Sequence, residues 1–146
     1  MTAKIIDGKK VAQHVRSECK LLVDQMKKLG VSPGLAVIIV GDDPASKVYV
    51  ANKVNACREV GLDSKVYTFP ANATDQEIES EILRLNADPK VHGILVQLPL
   101  PAHLNAKKLI ALNDKKNVLD MWETLISIDL RLKDFLDMEN HSTEAI

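Results

Sequence analysis

Aromatic side chains are scarce in this chain: two Phe, two Tyr and one Trp make up 3% of its 146 residues. So few rings do not build the stacking platform on which single-stranded nucleic acid is held. An excess of one charge is missing too, since 19 Lys and Arg stand against 20 Asp and Glu, for a formal net charge of −1. Without a basic field there is no whole-chain attraction for a polyanion, so nucleic acid is not an expected partner. Cysteine is limited to Cys19 and Cys57, far apart and in no CxxC or Cys/His spacing. That fits free thiols in a reducing compartment better than a disulfide scaffold or a zinc site. His14, His92, His103 and His141 sit in unrelated segments and form no metal-ligand spacing, so no metal is expected. No apolar run approaches the ~18 residues of a membrane span, and residues 1–6 hold no signal-peptide core. The chain reads as soluble and cytoplasmic, without a membrane partner.

What is present is an alternation of strand and helix signals. Val11, Val15, Leu22, Met26 and Leu29 fall at helical spacing behind Asp7-Gly8, and Gly30 supplies the stop. Leu35 to Val40 is an unbroken apolar run, the pattern of a strand buried on both faces. Asp43 then stands as an N-cap with Pro44 at the first helical position, and the helix is expected to reach Val60 before Gly61. A second strand is expected over Lys65 to Phe69. Thr74 and Glu77 match a capping box in front of Ile78, Ile82 and Leu85. A third strand covers Gly93 to Val96, and a last helical pattern runs from Leu104 to Leu112. This order predicts an α/β fold: a three-layer αβα arrangement around a mostly parallel sheet.

In an open parallel sheet, ligands bind beyond the carboxyl ends of the strands. Two segments leave the sheet there, Gly41-Asp42-Asp43-Pro44-Ala45-Ser46 and Gln97-Leu98-Pro99-Leu100-Pro101. Ser46, Tyr49 and Lys53 are spaced i, i+3 and i+7, hence on one helix face, with Val50, Val54 and Cys57 on the neighbouring stripe. A hydroxyl, a phenol and an amine looking toward Gln97 suit acid–base chemistry on a planar polar substrate. The plainer alternative is open at this point: Tyr49 and Lys53 as a surface pair, Gln97 as an edge hydrogen-bonder, Pro99 as a strand terminator, and Cys57 as core.

Three stretches resemble a known family: Pro33-Gly34-Leu35-Ala36-Val37 through Val40-Gly41-Asp42-Asp43-Pro44-Ala45-Ser46; Tyr49-Val50-Ala51-Asn52-Lys53 through Ala56-Cys57 and Gly61; and Gly93-Ile94-Leu95-Val96-Gln97-Leu98-Pro99-Leu100-Pro101. In this order and spacing they resemble the catalytic domain of the bifunctional methylenetetrahydrofolate dehydrogenase/methenyltetrahydrofolate cyclohydrolase family. The resemblance implies that Lys53 is the general acid/base, Gln97 its hydrogen-bonded partner and Tyr49 the residue packed against the folate ring. It makes Ser46 a helper and adds Leu98 and Pro99 to the substrate-binding loop. It implies NADP or NAD as cofactor, a small-molecule folate substrate, and a homodimer.

The composition changes near Asn117. Residues 1–116 carry a net charge of +4 and residues 117–146 a net charge of −5, and every Gly and Pro lies at or before Pro101. The chain therefore divides into a folate-binding catalytic domain (1–116) and a divergent acidic tail (117–146), either helical or disordered, with Leu125, Ile128, Leu132 and Leu136 at near-helical spacing. Where the family continues Lys-Asp-Val-Asp-Gly, this chain has Lys116-Asn117-Val118-Leu119-Asp120, with Leu119 at the position of the pterin-contacting aspartate. No GxGxxG follows, so a Rossmann dinucleotide domain is expected to be absent. A truncated or frame-shifted catalytic domain, without the dehydrogenase reaction and with cyclohydrolase activity left open, is the reading these departures suggest. A non-catalytic α/β binding module that uses the acidic tail is the alternative, and a nonfunctional product a third.

Overall fold

A computed structural model describes residues 7–113 of the chain. In order they form α1 (Gly8–Lys28), β1 (Gly34–Val40), α2 (Pro44–Val60), β2 (Asp63–Phe69), α3 (Asp75–Asn86), β3 (Gly93–Val96) and α4 (Ala106–Ala111). Leu119 and the tail residues Leu125, Ile128, Leu132 and Leu136 lie outside the described residues.

The three strands pair in the order β2-β1-β3, all parallel. The apolar run of β1 lies at the centre because it alone can be buried on both faces, and Ala36 to Val40 are almost fully enclosed. β2 starts at Asp63, two residues before the expected Lys65. Its in-register pairing, Gly34 with Asp63 through Val40 with Phe69, draws Asp63 and Ser64 into the ladder. Their polarity is no obstacle on an edge strand that is open to solvent.

Right-handed crossovers decide where the helices go. The chain moves outward from β1 to β2 through α2 and back past β1 to β3 through α3, so the two helices cover opposite faces. On one face Val37 and Ile39 of β1 meet Val50 of α2, with Leu35, Val54 and Leu95 half-buried at the margin. On the other, Ala36, Ile38 and Val40 pack with Ile78, Ile82 and Leu85 of α3 and Leu109 of α4. The result is the expected three-layer αβα arrangement with a parallel sheet.

Local sequence explains the boundaries. Asp7 caps α1 by accepting from the backbone N–H of Lys9 and Lys10. Gly61 ends α2 at φ 85°, a left-handed conformation that glycine alone adopts without a Cβ penalty. At Gly34 the reason for glycine is different: a Cβ there would collide with the Lys90 carbonyl oxygen. α4 is shorter than the expected Leu104 to Leu112, because Asn105 caps it through the Lys108 N–H (3.0 Å) and leaves Leu104 buried ahead of the helix.

α1 departs from the pattern read in the sequence. Its one fully buried residue is Val23, whereas Leu22, Met26 and Leu29 of the expected apolar stripe are exposed, Leu29 at 82%. Among the described residues no helix is long and apolar enough to cross a membrane.

The capping box of α3 forms in full. Thr74 N–H donates to Glu77 Oε2 at 2.7 Å, and Glu77 N–H donates to Thr74 Oγ1 at 3.3 Å. The Thr74 backbone N–H, joined by its hydroxyl, holds the Glu77 carboxyl below the usual carboxylate range. A folded-state value below the unfolded one adds stability above the unfolded value and loses it as pH falls through the folded one. Glu77→Gln is therefore expected to lower the melting temperature at pH 7. That gap should begin to close as pH falls through the unfolded-state value of about 4 and be gone once pH has passed below the lower folded-state value, where the native carboxylate is protonated too. A gap that persists at pH 2 would show that the ionised carboxylate is not what stabilises the helix start.

Candidate active site

The two strand exits named from sequence meet at one place. α2 leaves β1 toward one face of the sheet, while the chain beyond β3 turns to α4 on the other. The carboxyl ends of β1 and β3 therefore flank a switch point, where the diverging connections leave a crevice. Gln97 is fixed there by its N–H, which donates to the Ile38 carbonyl at 2.8 Å. Lys53, on the third turn of α2, reaches across and donates from Nζ to Gln97 Oε1 at 3.0 Å.

Gln97 is held in one orientation at its other end as well. Its Nε2 donates to the Leu98 carbonyl at 2.7 Å, which leaves Oε1 as the acceptor facing Lys53. The Tyr49 ring, one turn before Lys53, lies 5.9 Å from Nζ at its centroid and is 56% exposed. Leu98 exposes its side chain on the same loop, and the Leu98–Pro99 peptide is cis. An amine with two donor positions left over, a neutral amide acceptor, an open aromatic face and an apolar loop thus line one crevice.

Ser46 sits differently from the open polar face expected of it. It is 3% exposed, and its Oγ has no hydrogen-bond partner among the described residues. The reason is the helical wheel: Ser46, Val50 and Cys57 share the stripe that faces the sheet, and Tyr49 and Lys53 lie on its flank. Burial also pushes the Cys57 thiol up, as expected of a core cysteine. Cys19 and Cys57 are both free thiols.

Lys53 is exposed, and no described element closes over it. Residues 7–113 therefore do not by themselves build a desolvating cleft around its amine.

The turn after β2 joins this edge without having been singled out from sequence. A Cβ on Gly41 would touch Ala71 at 3.6 Å and Pro101 at 3.9 Å, so all three strand exits converge there. Only the central position of β1 brings this about, and nothing in Pro70 to Ala73 signals it beforehand.

The β1–α2 turn is where a doubly wound sheet would hold a pyrophosphate, and this one does not fit it. Asp43 caps α2 by accepting the Ser46 N–H at 2.7 Å, which lowers its acidity range, and Lys47 does the same for Asp42 at 2.7 Å. The Asp43 carboxylate thus takes a helix N–H that a phosphate would use, and Pro44 removes another of those donors. Among the described residues no cluster of His, Cys, Asp and Glu could hold a metal ion.

The family model for the tetrahydrofolate dehydrogenase/cyclohydrolase catalytic domain matches residues 6–118. The chain belongs to that family. The bifunctional protein FolD of Moorella thermoacetica is 56% identical over 110 residues, which are 75% of this chain and 39% of the relative. The crystal structure of the FolD methylenetetrahydrofolate dehydrogenase/cyclohydrolase from Campylobacter jejuni superposes with a TM-score of 0.75 at 41% identity, over 76% of this chain and 39% of that one. A Trypanosoma brucei methylenetetrahydrofolate dehydrogenase-cyclohydrolase, solved with NADP and an inhibitor, gives a TM-score of 0.76 at 33% identity, over 80% and 40%. This member of the dehydrogenase/cyclohydrolase family therefore spans about two-fifths of the length of the relatives it matches.

Proposed function

We propose that this chain forms the folate-binding, acid–base site of a methylenetetrahydrofolate dehydrogenase/methenyltetrahydrofolate cyclohydrolase. The observation that carries the reading is the 3.0 Å hydrogen bond from Lys53 Nζ to Gln97 Oε1 at the switch point of the sheet, with the Tyr49 ring open beside it. Tyr49 stacks on the pterin, and Leu98 and Pro99 line its edge. In the hydrolytic half-reaction water adds to the methenyl carbon, which lies between two ring nitrogens. Lys53 takes one proton from that water and returns it to the departing nitrogen as the carbon–nitrogen bond breaks, while the remaining hydroxyl proton is lost to solvent as its oxygen becomes the carbonyl of the 10-formyl product. Gln97 serves as an uncharged partner, which orients the amine without stabilising its ammonium form as a carboxylate would. Buried Ser46 supports the first turn of α2 beneath Tyr49.

The lysine works as a base only as a neutral amine, and loss of surrounding water favours that form. Because Lys53 is exposed among the described residues, the bound folate itself supplies the cover. The oxidative half-reaction uses NADP or NAD, whose phosphates residues 41–46 do not fit, so no hydride step is assigned to them. A cytoplasmic setting and a homodimer complete the reading, by likeness to the family.

Titration of the purified chain with a stable tetrahydrofolate analogue tests this proposal. Saturable binding is expected, and Tyr49→Ala should weaken it about threefold to tenfold, the value of one aromatic contact. Absence of saturation at millimolar analogue, or a Tyr49→Ala chain that binds as well as the parent, would remove the folate assignment.

A further inference from the structure

The loop that presents Leu98 and Pro99 is pinned at its entry, where the Gln97 N–H reaches the Ile38 carbonyl. Its own backbone can do little to brace it further, since Pro99 and Pro101 have no N–H to donate. What fixes its far end lies on another segment. His103 Nε2 stands 2.8 Å from the carbonyl oxygen of Ala73, in the turn between β2 and α3. A carbonyl only accepts, so Nε2 carries the proton, in the neutral ring as in the charged one. The bond is therefore kept in either charge state.

Both segments are shaped to receive this tie. The Ala73 N–H donates to the Pro70 carbonyl and the Leu104 N–H to the Pro101 carbonyl, each at 3.0 Å, so both are closed turns. Ala73 and Leu104 are 2% and 8% exposed and belong to one hydrophobic cluster, which sets His103, next to Leu104, beside the Ala73 carbonyl. Two residues on, the Asn105 N–H donates to Asp75 Oδ1 at 2.9 Å, at the start of α3. The end of the loop is thus moored to the β2–α3 turn and not to the strand from which it leaves.

We propose, on the folate reading of this crevice, that His103 is a positioning residue: through the Ala73 carbonyl it fixes the loop whose Leu98 and Pro99 line the ring. Gln97 is pinned separately to β1, and Lys53 stands on α2. Loosening the loop therefore costs affinity for the ring and spares the acid–base pair.

The full 146-residue chain is compared with His103→Leu, His103→Gln and Glu79→Gln, by titration with a stable tetrahydrofolate analogue and by amide hydrogen exchange. Glutamine keeps an N–H near the place of Nε2. Glu79 pairs with Lys108 at 2.8 Å, one turn further along α3 and α4, and serves as the control. His103→Leu should weaken binding about threefold to tenfold, the value of one uncharged hydrogen bond. It should also speed exchange of the Leu104 and Asn105 amides several-fold, with the β1 amides unchanged. His103→Gln and Glu79→Gln should bind within about twofold of the parent. A His103→Leu chain that binds as tightly as the parent, or a His103→Gln chain as weak as His103→Leu, would overturn the proposal. A parent that does not bind the analogue defeats the folate reading, and the exchange rates then decide the rest. Faster exchange at Leu104 and Asn105 in His103→Leu would leave His103 as the residue that sets this loop, and unchanged exchange there would overturn that as well.

Discussion

Lys53→Ala is expected to lower methenyltetrahydrofolate hydrolysis by ~10² to 10⁴-fold, the range supplied by one positioned acid–base group. The substitution is best made in a chimera in which residues 7–113 replace the matching segment of the Moorella FolD, so that the remainder of a full-length relative is present. Loss of absorbance of the methenyl substrate gives the rate, corrected for its spontaneous hydrolysis. Lys53 is exposed and touches Gln97 and the Tyr49 ring without joining either hydrophobic cluster, so the fold should be unaffected. Gln97→Ala should also reduce the rate, but by less, since the amine is kept and only its orientation is lost. A Lys53→Ala chimera within about threefold of the parent, with normal circular dichroism, would return Tyr49 and Lys53 to the status of a surface pair.

No NAD(P)H is expected when the 146-residue polypeptide alone is given methylenetetrahydrofolate and either dinucleotide. Hydride transfer depends on holding the nicotinamide against the one-carbon bridge, and such alignment contributes ~7–11 kcal/mol to lowering a barrier. The β1–α2 turn is the place for a pyrophosphate in a sheet of this topology, and here it presents Asp42 and Asp43 in ionised form. A phosphate brought there meets a helix start already capped by the Asp43 carboxylate, and the nearby cation of Lys47 is already engaged by Asp42. Absorbance at high enzyme concentration is the measurement. Turnover that scales with enzyme and vanishes in Lys53→Ala would place a dinucleotide site within this polypeptide. By contrast, hydrolysis of the methenyl compound needs no dinucleotide and is the activity to seek in the isolated chain.

Much of the architecture was determined by the sequence, because its signals there are local. Asp43-Pro44 and Gly61 delimit α2 as expected, Thr74 and Glu77 form their box, and the run ending at Val40 becomes the central strand. These follow from backbone geometry and hydrogen bonding within a few residues, which act in the same way wherever the segment ends up. The crevice was half legible. Helical spacing puts Tyr49 and Lys53 on one flank of α2, but the partnership with Gln97 spans 44 residues and exists only because β1 and β3 are neighbours. Tertiary packing also decided which side of a helix is buried. Ser46 shares a helix face with Lys53 by spacing, yet it is enclosed beneath α2, while Leu22 and Leu29, apolar in sequence, face outward on α1. Periodicity marks a stripe and not the element that will cover it; that depends on where the rest of the chain is carried by strand order and crossover hand, which no short window of residues contains.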